Sequence, residues 1–226
     1  LLGKHFWRSA NQKLRCIHFH AQALDAHQIC VEASWQVPGG KTPFETIYTI
    51  DANGGIQVEA RFTPGKELER MGMQLSLPAE FRLLEYFGLG PQETMPDRQM
   101  GARVGKYTST VDNLIHHYVR PQENGNRSQV RWLQVNDDNG MGLIIQSTGE
   151  EHFNFSAWPY TQDQLMDANH IHELVKSDLV TLNFDLTQKG VGGDVPAGGN
   201  PHEAYRLLPG KKLEASFWIK PTLNKK

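Results

Sequence analysis

The stretch from Ile29 to Phe62, ICVEASWQVPGGKTPFETIYTIDANGGIQVEARF, decides the fold class. Ile29, Val31, Ala33, Trp35 and Val37 alternate with Cys30, Glu32, Ser34 and Gln36, the period of a strand with two unlike faces. Pro38-Gly39-Gly40 interrupts that run, and Phe44 to Ile50 begins another. The second run ends in Asp51-Ala52-Asn53-Gly54-Gly55, where Asn-Gly tolerates the positive φ of a tight hairpin. Ile56, Val58, Ala60 and Phe62 then alternate with Gln57, Glu59 and Arg61. Three strands in a meander, wet on one face, are predicted.

The same period continues outward. Met71, Met73, Leu75 and Leu77 alternate, and Val130, Trp132 and Leu133 lead into Val135 and a polar turn over Asn136–Gly140. Leu143–Ile145, Phe153 with Phe155, Leu179–Leu186 and Leu213–Ile219 complete a count of about a dozen strands or more. The best helix start is Thr161 with Gln164, a capping box ahead of Leu165, Met166 and Ala168. No fixed repeat and no linker composition divides residues 1–226. The expected fold is all-β: one large antiparallel sandwich forming a single domain, with one or two short helices. Cys16 and Cys30 fall on neighbouring segments that would turn near Asp25-Ala26 and hold them out of register. Free thiols, as in a reducing compartment, are predicted.

Composition narrows the function classes. The 226 residues carry 23 Lys+Arg against 25 Asp+Glu, a net charge of -2, so neither a nucleic-acid footprint nor a polybasic membrane surface is present. No apolar run reaches the roughly 18 residues of a membrane span. The 21 glycines and 12 prolines suit many turns between short strands. The chain opens Leu1-Leu2-Gly3-Lys4, without Met and without a signal-peptide pattern, as a processed chain or a piece of a larger protein would.

Few residues carry chemistry by pattern alone. Gly190-Val191-Gly192-Gly193-Asp194 lacks the Lys-Ser/Thr of a phosphate loop and reads as a mobile surface loop extending to Pro201. His18-x-His20 and His170-x-His172 each place two imidazoles on one face of an extended segment, short of the three or four ligands of a metal site. His116-His117 would point to opposite faces of a strand. There is no Gly-x-Ser-x-Gly elbow, and no carboxylate pair can be set at a glycosidase separation from sequence. Two polar-turn segments stand out, Gly88–Arg98 and Pro121–Arg127. Asp97 with Arg98, or Glu123 with Arg127, could pin long loops by charge-assisted hydrogen bonds. A sugar site would need such forks together with aromatic faces such as Tyr86, Trp132 or Trp158.

These two segments carry a family resemblance. Gly88-x-Gly90-Pro91-x-Glu93-x-x-Pro96-Asp97-Arg98, then Tyr107, Asp112 and Tyr118-x-x-Pro121-Gln122-Glu123-Asn124-Gly125-Asn126-Arg127, resemble the C-terminal small-chain domain of lacZ-type β-galactosidases, glycoside hydrolase family 2. Val130-Arg131-Trp132, Phe155-Ser156, Tyr160-Thr161-Gln162-x-x-Leu165, His170-x-His172 and Gly190–Asp194 continue the resemblance in order, most firmly over 71–226. It implies a supersandwich similar to galactose mutarotase. It also implies a separate TIM barrel that holds the two catalytic glutamates and the magnesium and sodium ions. By resemblance this chain then has no catalytic residue, no metal ligand and no cofactor of its own. It would complete the active-site wall and support assembly with the enzyme's catalytic domains or a large subunit, in a cytoplasmic (alternatively periplasmic) homo-oligomer acting on a β-galactoside. Substrate contact would come from Gly192, Gly193, Asp194 and Ala197; the family often has a stacking Trp at the position of Ala197. Met95 stands where Tyr is commonest. The alternative readings are a self-standing aldose 1-epimerase, with His170 or His172 and Glu93 or Glu123 as acid and base, or a galactose-binding module.

Overall fold

The computed structural model describes residues 2–194 and 199–222. The chain opens with helix α1 (Leu2–Ala10), followed by β1 (Arg15–Ala23), β2 (Gln28–Gln36), β3 (Phe44–Asp51) and β4 (Ile56–Phe62). Next come β5 (Arg70–Pro78), β6 (Leu83–Gly90), β7 (Arg103–Thr110) and the single-turn α2 (Val111–Leu114). β8 (Arg127–Val130), β9 (Trp132–Asn136), β10 (Gly142–Ser147) and β11 (Phe153–Trp158) precede α3 (Gln162–Asp167). β12 (Leu179–Gln188) and β13 (Leu213–Thr222) close the fold. All strand pairs are antiparallel, in a nine-stranded sheet β1-β2-β3-β4-β13-β10-β9-β6-β7 and a four-stranded sheet β5-β12-β11-β8.

The predicted meander is β2-β3-β4, with Asp51 accepting from the Asn53 and Gly55 amides to close the Asn-Gly turn. β1 turns back on β2 over residues 24–27, so Cys16 faces Trp35 while Gln22 faces Cys30, and both thiols are free. One apolar core joins the two sheets. Val58, Leu84, Leu133, Ile145 and Phe217 meet Phe153, Phe155, Leu182 and Phe184 there. Phe184 sits edge-on to Phe217 with ring centres 5.1 Å apart, and Tyr86 to Phe155 at 5.0 Å, the geometry aromatic quadrupoles favour.

Three expectations change. Val130 and Trp132 are not on one strand. β8 joins the small sheet and β9 the large one, with Arg131 between them hydrogen-bonded to Phe87 O at 2.8 Å. β11 shows no wet face: all six of its residues are buried, because Phe153, Phe155 and Ala157 join the core between the sheets while Trp158, on the other face, packs with Tyr160, Leu165, Ile115 and Leu174. Among the described residues there are three α-helices, one more than the one or two expected, the addition being α1. Its legible signal was Phe6, Trp7 and Ala10 on one helical face; Trp7 Nε1 donates to Glu67 O at 2.6 Å and Ala10 is buried.

The opposite end of the large sheet is bare. The core takes its buried residues from β4 onward, and β1 is exposed at all nine positions. Phe19 is 66% exposed, Leu24 51%, Ile29 50% and Ile17 48%, so the period-two reading of β2 fails at Ile29 because no second layer covers that corner.

Candidate functional site

The two polar-turn segments, about thirty residues apart in sequence, are zipped together in space. β6 carries Gly88 and Gly90 to its end, and a Cβ on Gly88 would come within 2.8 Å of Val130 Cγ2, so only glycine lets β6 and β8 approach this closely. Beyond exposed Pro91, Thr94 N donates to Asn126 O at 2.9 Å, Asn126 Nδ2 returns to Thr94 O at 2.8 Å, and Ser128 N donates to Thr94 Oγ1 at 2.8 Å. Met95 and Arg98 exchange backbone hydrogen bonds, which folds Pro96-Asp97 into a tight turn.

Glu93 is the centre of this assembly. Its side chain is 8% exposed. It accepts from Tyr118 Oη at 2.6 Å and from the Gly125 amide at 2.6 Å, and it pairs with Arg98. Burial first, and the hydrogen bond to Glu93 second, push the Tyr118 phenol above its ordinary pKa. Gly125 has φ +74°, and a Cβ there would lie 2.6 Å from Leu114 O, so the position requires glycine twice over.

The expected pairs are therefore exchanged. Arg98 joins Glu93, not Asp97, and Glu123 joins Arg70 of β5, not Arg127. Sequence proximity misled because the turns aim neighbouring side chains apart, whereas partners 53 residues distant meet between β5 and the loop that precedes β8. Buried Arg127 donates to Tyr86 Oη at 3.2 Å and to Gly125 O at 2.8 Å. Burial raises the Tyr86 pKa and the Arg127 charge opposes it. Arg70 also donates to Asn183 Oδ1 at 3.0 Å and Gln162 Oε1 at 3.2 Å, and lies 3.5 Å from buried Asp185 Oδ2. Asp185 is held above the ordinary carboxylate range by desolvation, with Arg70 and Gln188 opposing.

Asn124 continues the wall behind buried Pro121. Its Oδ1 accepts from His116 N at 3.0 Å, and its carbonyl accepts from Trp158 Nε1 at 2.7 Å. His116-His117 lie in a loop rather than a strand, with the His116 ring 4.3 Å from that of Tyr118. Trp158 and Tyr86 are buried in cores and offer no open face to a sugar; Trp132 is half-buried with Lys106 5.8 Å from its ring.

The glycine-rich loop is anchored to the first segment. Gly192 N donates to Asp97 Oδ2 at 2.6 Å, a contact across 95 residues that no local pattern announces. Asp194 meets His202 Nε2 at 2.9 Å, which raises the imidazole pKa. Gly192, Gly193 and Asp194 are exposed, and Ala197 lies outside the described residues. The carboxylate hydrogen-bonded to His170 is Glu173, at 3.0 Å; Glu93 and Glu123 are engaged elsewhere. Glu93 and Glu123 thus serve as structural ties, and Asp97 alone of these acids anchors the glycine-rich loop, whose residues 191–194 are exposed.

The architecture is that of the antiparallel sandwiches built from one large and one small sheet. The galactose 1-epimerase of Lactobacillus acidophilus shares it with a TM-score of 0.51, covering 90% of this chain and 65% of that one at 12% identity. The family described as beta galactosidase small chain matches residues 3–219, and the chain belongs to that family. The match includes residues 3–70, where motif residues are sparse. A β-galactosidase of Vibrio cholerae is 41% identical over 193 residues, 84% of this chain and 16% of the relative. That of Lactobacillus delbrueckii subsp. bulgaricus is 34% identical over 224 residues, 97% and 22%. That of Halalkalibacterium halodurans is 30% identical over 219 residues, 94% and 22%. The chain thus spans about a fifth of the length of these relatives. No described helix is long and apolar enough to cross a membrane.

Proposed function

We propose that this chain is the C-terminal sandwich, a single domain, of a glycoside hydrolase family 2 β-galactosidase that hydrolyses terminal β-D-galactosides. The observation that carries the reading is the family match over residues 3–219 in a chain that spans a fifth of its β-galactosidase relatives. The catalytic glutamates, with magnesium and sodium, belong to a barrel outside these residues. This domain's part is to hold the Gly190–Asp194 loop, with Ala197, against the sugar pocket by way of Asp97. Its second part is assembly of the homo-oligomer or of a large-plus-small subunit pair. The bare β1–β2 corner supports that part: a strand exposed at all nine positions and carrying Ile17 and Phe19 is a surface waiting for cover.

The test is reconstitution. The chain combined with the catalytic remainder of the enzyme should hydrolyse a chromogenic β-galactoside, and the chain alone should not. Asp97→Ala should raise KM with little effect on assembly, while Ile17→Asp with Phe19→Asp should reduce assembly. Galactose anomerisation by the isolated chain, abolished by His170→Ala or His172→Ala, would replace this reading with the epimerase one.

A further inference from the structure

The segment after α3 has a geometry that sequence alone did not offer. Asn169–Leu174 is wound into a 3₁₀ turn over Ile171–Glu173, with Glu173 N donating to His170 O and Leu174 N to Ile171 O, both at 3.1 Å. An extended segment would have set two imidazoles side by side and sent the next residue away. The turn instead folds Glu173 back toward His170. We propose that His170, His172 and Glu173 form a binding site for a divalent transition-metal ion of the zinc, nickel or copper kind.

Four observations carry this. One ligand atom from each residue lies within 4.8 Å of the others. His170 Nδ1 is 3.0 Å from Glu173 Oε1, close to the roughly 3.3 Å that separates two donors bound at about 2.0–2.1 Å to one tetrahedral ion. The imidazoles of His170 and His172 lie with centres 5.4 Å apart and planes inclined by 19°, and a ring nitrogen of His172 is within 4.8 Å of the other two donors. Asn169 N donates to Glu173 Oε2 at 2.9 Å, fixing the carboxylate so that its other oxygen faces the imidazole. A simple His–Glu ion pair would account for the first contact but gives no role to the second imidazole.

Two nitrogen donors of three select borderline metals over magnesium or calcium, which favour oxygen-only shells. Three protein ligands leave at least one coordination position open to water or to a donor from another molecule. All three side chains are exposed, so the ion would exchange freely and the ligands can close the remaining gap without moving the core. None of its hydrogen bonds is shared with the Glu93 and Asp97 ties.

The experiment is calorimetric titration of the 226-residue chain with zinc and with nickel chloride, repeated on His172→Ala, Glu173→Gln and a His18→Ala/His20→Ala control. The control removes the other paired imidazoles, on exposed β1. The expected result is one saturable site per chain, weakened at least about tenfold by either of the first two variants and unchanged in the control. Copper(II) bound to the chain should show electron-paramagnetic coupling to two imidazole nitrogens, reduced to one in His172→Ala. Circular dichroism confirms that these surface variants remain folded. Loss of binding in the control alone, binding indifferent to His172 and Glu173, or no saturable binding below about 1 mM metal would each overturn the proposal.

Discussion

Removing the Glu93 carboxylate should release two chain segments at once. In Glu93→Ala, the Gly125 amide and the Tyr118 hydroxyl each lose an acceptor 2.6 Å away, in a place where the Glu93 side chain is 8% exposed. Hydrogen bonds to a charged group contribute about 1.5–3 kcal/mol each, and a donor left unpaired costs its desolvation. Arg98 is 52% exposed and its share of the ion pair adds less than about 1 kcal/mol. Partial entry of water offsets some of this loss, leaving a net destabilisation of about 3–4 kcal/mol. For a chain of 226 residues that lowers the melting temperature by about 10 °C. Glu93→Gln keeps one acceptor and the side-chain shape and should lose only about 1–2 kcal/mol. Urea unfolding followed by circular dichroism gives both values, and amide hydrogen exchange at Gly125 reports the local release. A loss under about 1 kcal/mol in Glu93→Ala, with Gly125 exchange unchanged, would show that the two segments are held by something other than this carboxylate.

Three further outcomes are expected. Arg206 first, with Lys189, holds the Glu67 carboxyl down to about 2 from an ordinary 4.5; stability from this group is full above about pH 4.5 and is lost as pH falls toward 2. After allowance for solvent screening, Glu67→Gln should lose about 1–2 kcal/mol at pH 7 and match the parent near pH 2, as read from urea midpoints across pH. Arg70→Met strands buried Asp185 and should cost about 3 kcal/mol, with Asp185→Asn added in the same chain recovering more than half; additive losses in that double-mutant cycle would deny the coupling. Gly125→Ala should lose about 2 kcal/mol or more in thermal unfolding, because φ +74° and Leu114 O both oppose a side chain; a neutral result would mean the loop has another conformation.

Local signals were legible because they are read from neighbours in the chain. Period-two alternation located β2, β3, β4 and β13, and Asn53-Gly54 located a hairpin. Thr161 with Gln164 forms the capping box read from sequence, with Thr161 N to Gln164 Oε1 at 2.8 Å and Gln164 N to Thr161 Oγ1 at 3.2 Å. The motif residues of both polar segments were also legible, but their partners were not. Val130 and Trp132 look like one strand since nothing in their side chains says which sheet each will join. Tyr86 and Trp158 look like sugar platforms until the core closes over them.

The sequence by itself determined the class of the fold, the out-of-register free thiols and the family, since each rests on residue type at short spacing. Only the tertiary structure decided the pairings Glu93–Gly125, Glu123–Arg70 and Asp97–Gly192, which join residues 32, 53 and 95 apart. It also decided that His170 faces Glu173 and that β1 stands uncovered. The reason is geometric. A charged or polar side chain needs a partner in space when it is buried, and which partner it meets depends on how the sheets stack and the turns aim, not on its nearest neighbours along the chain.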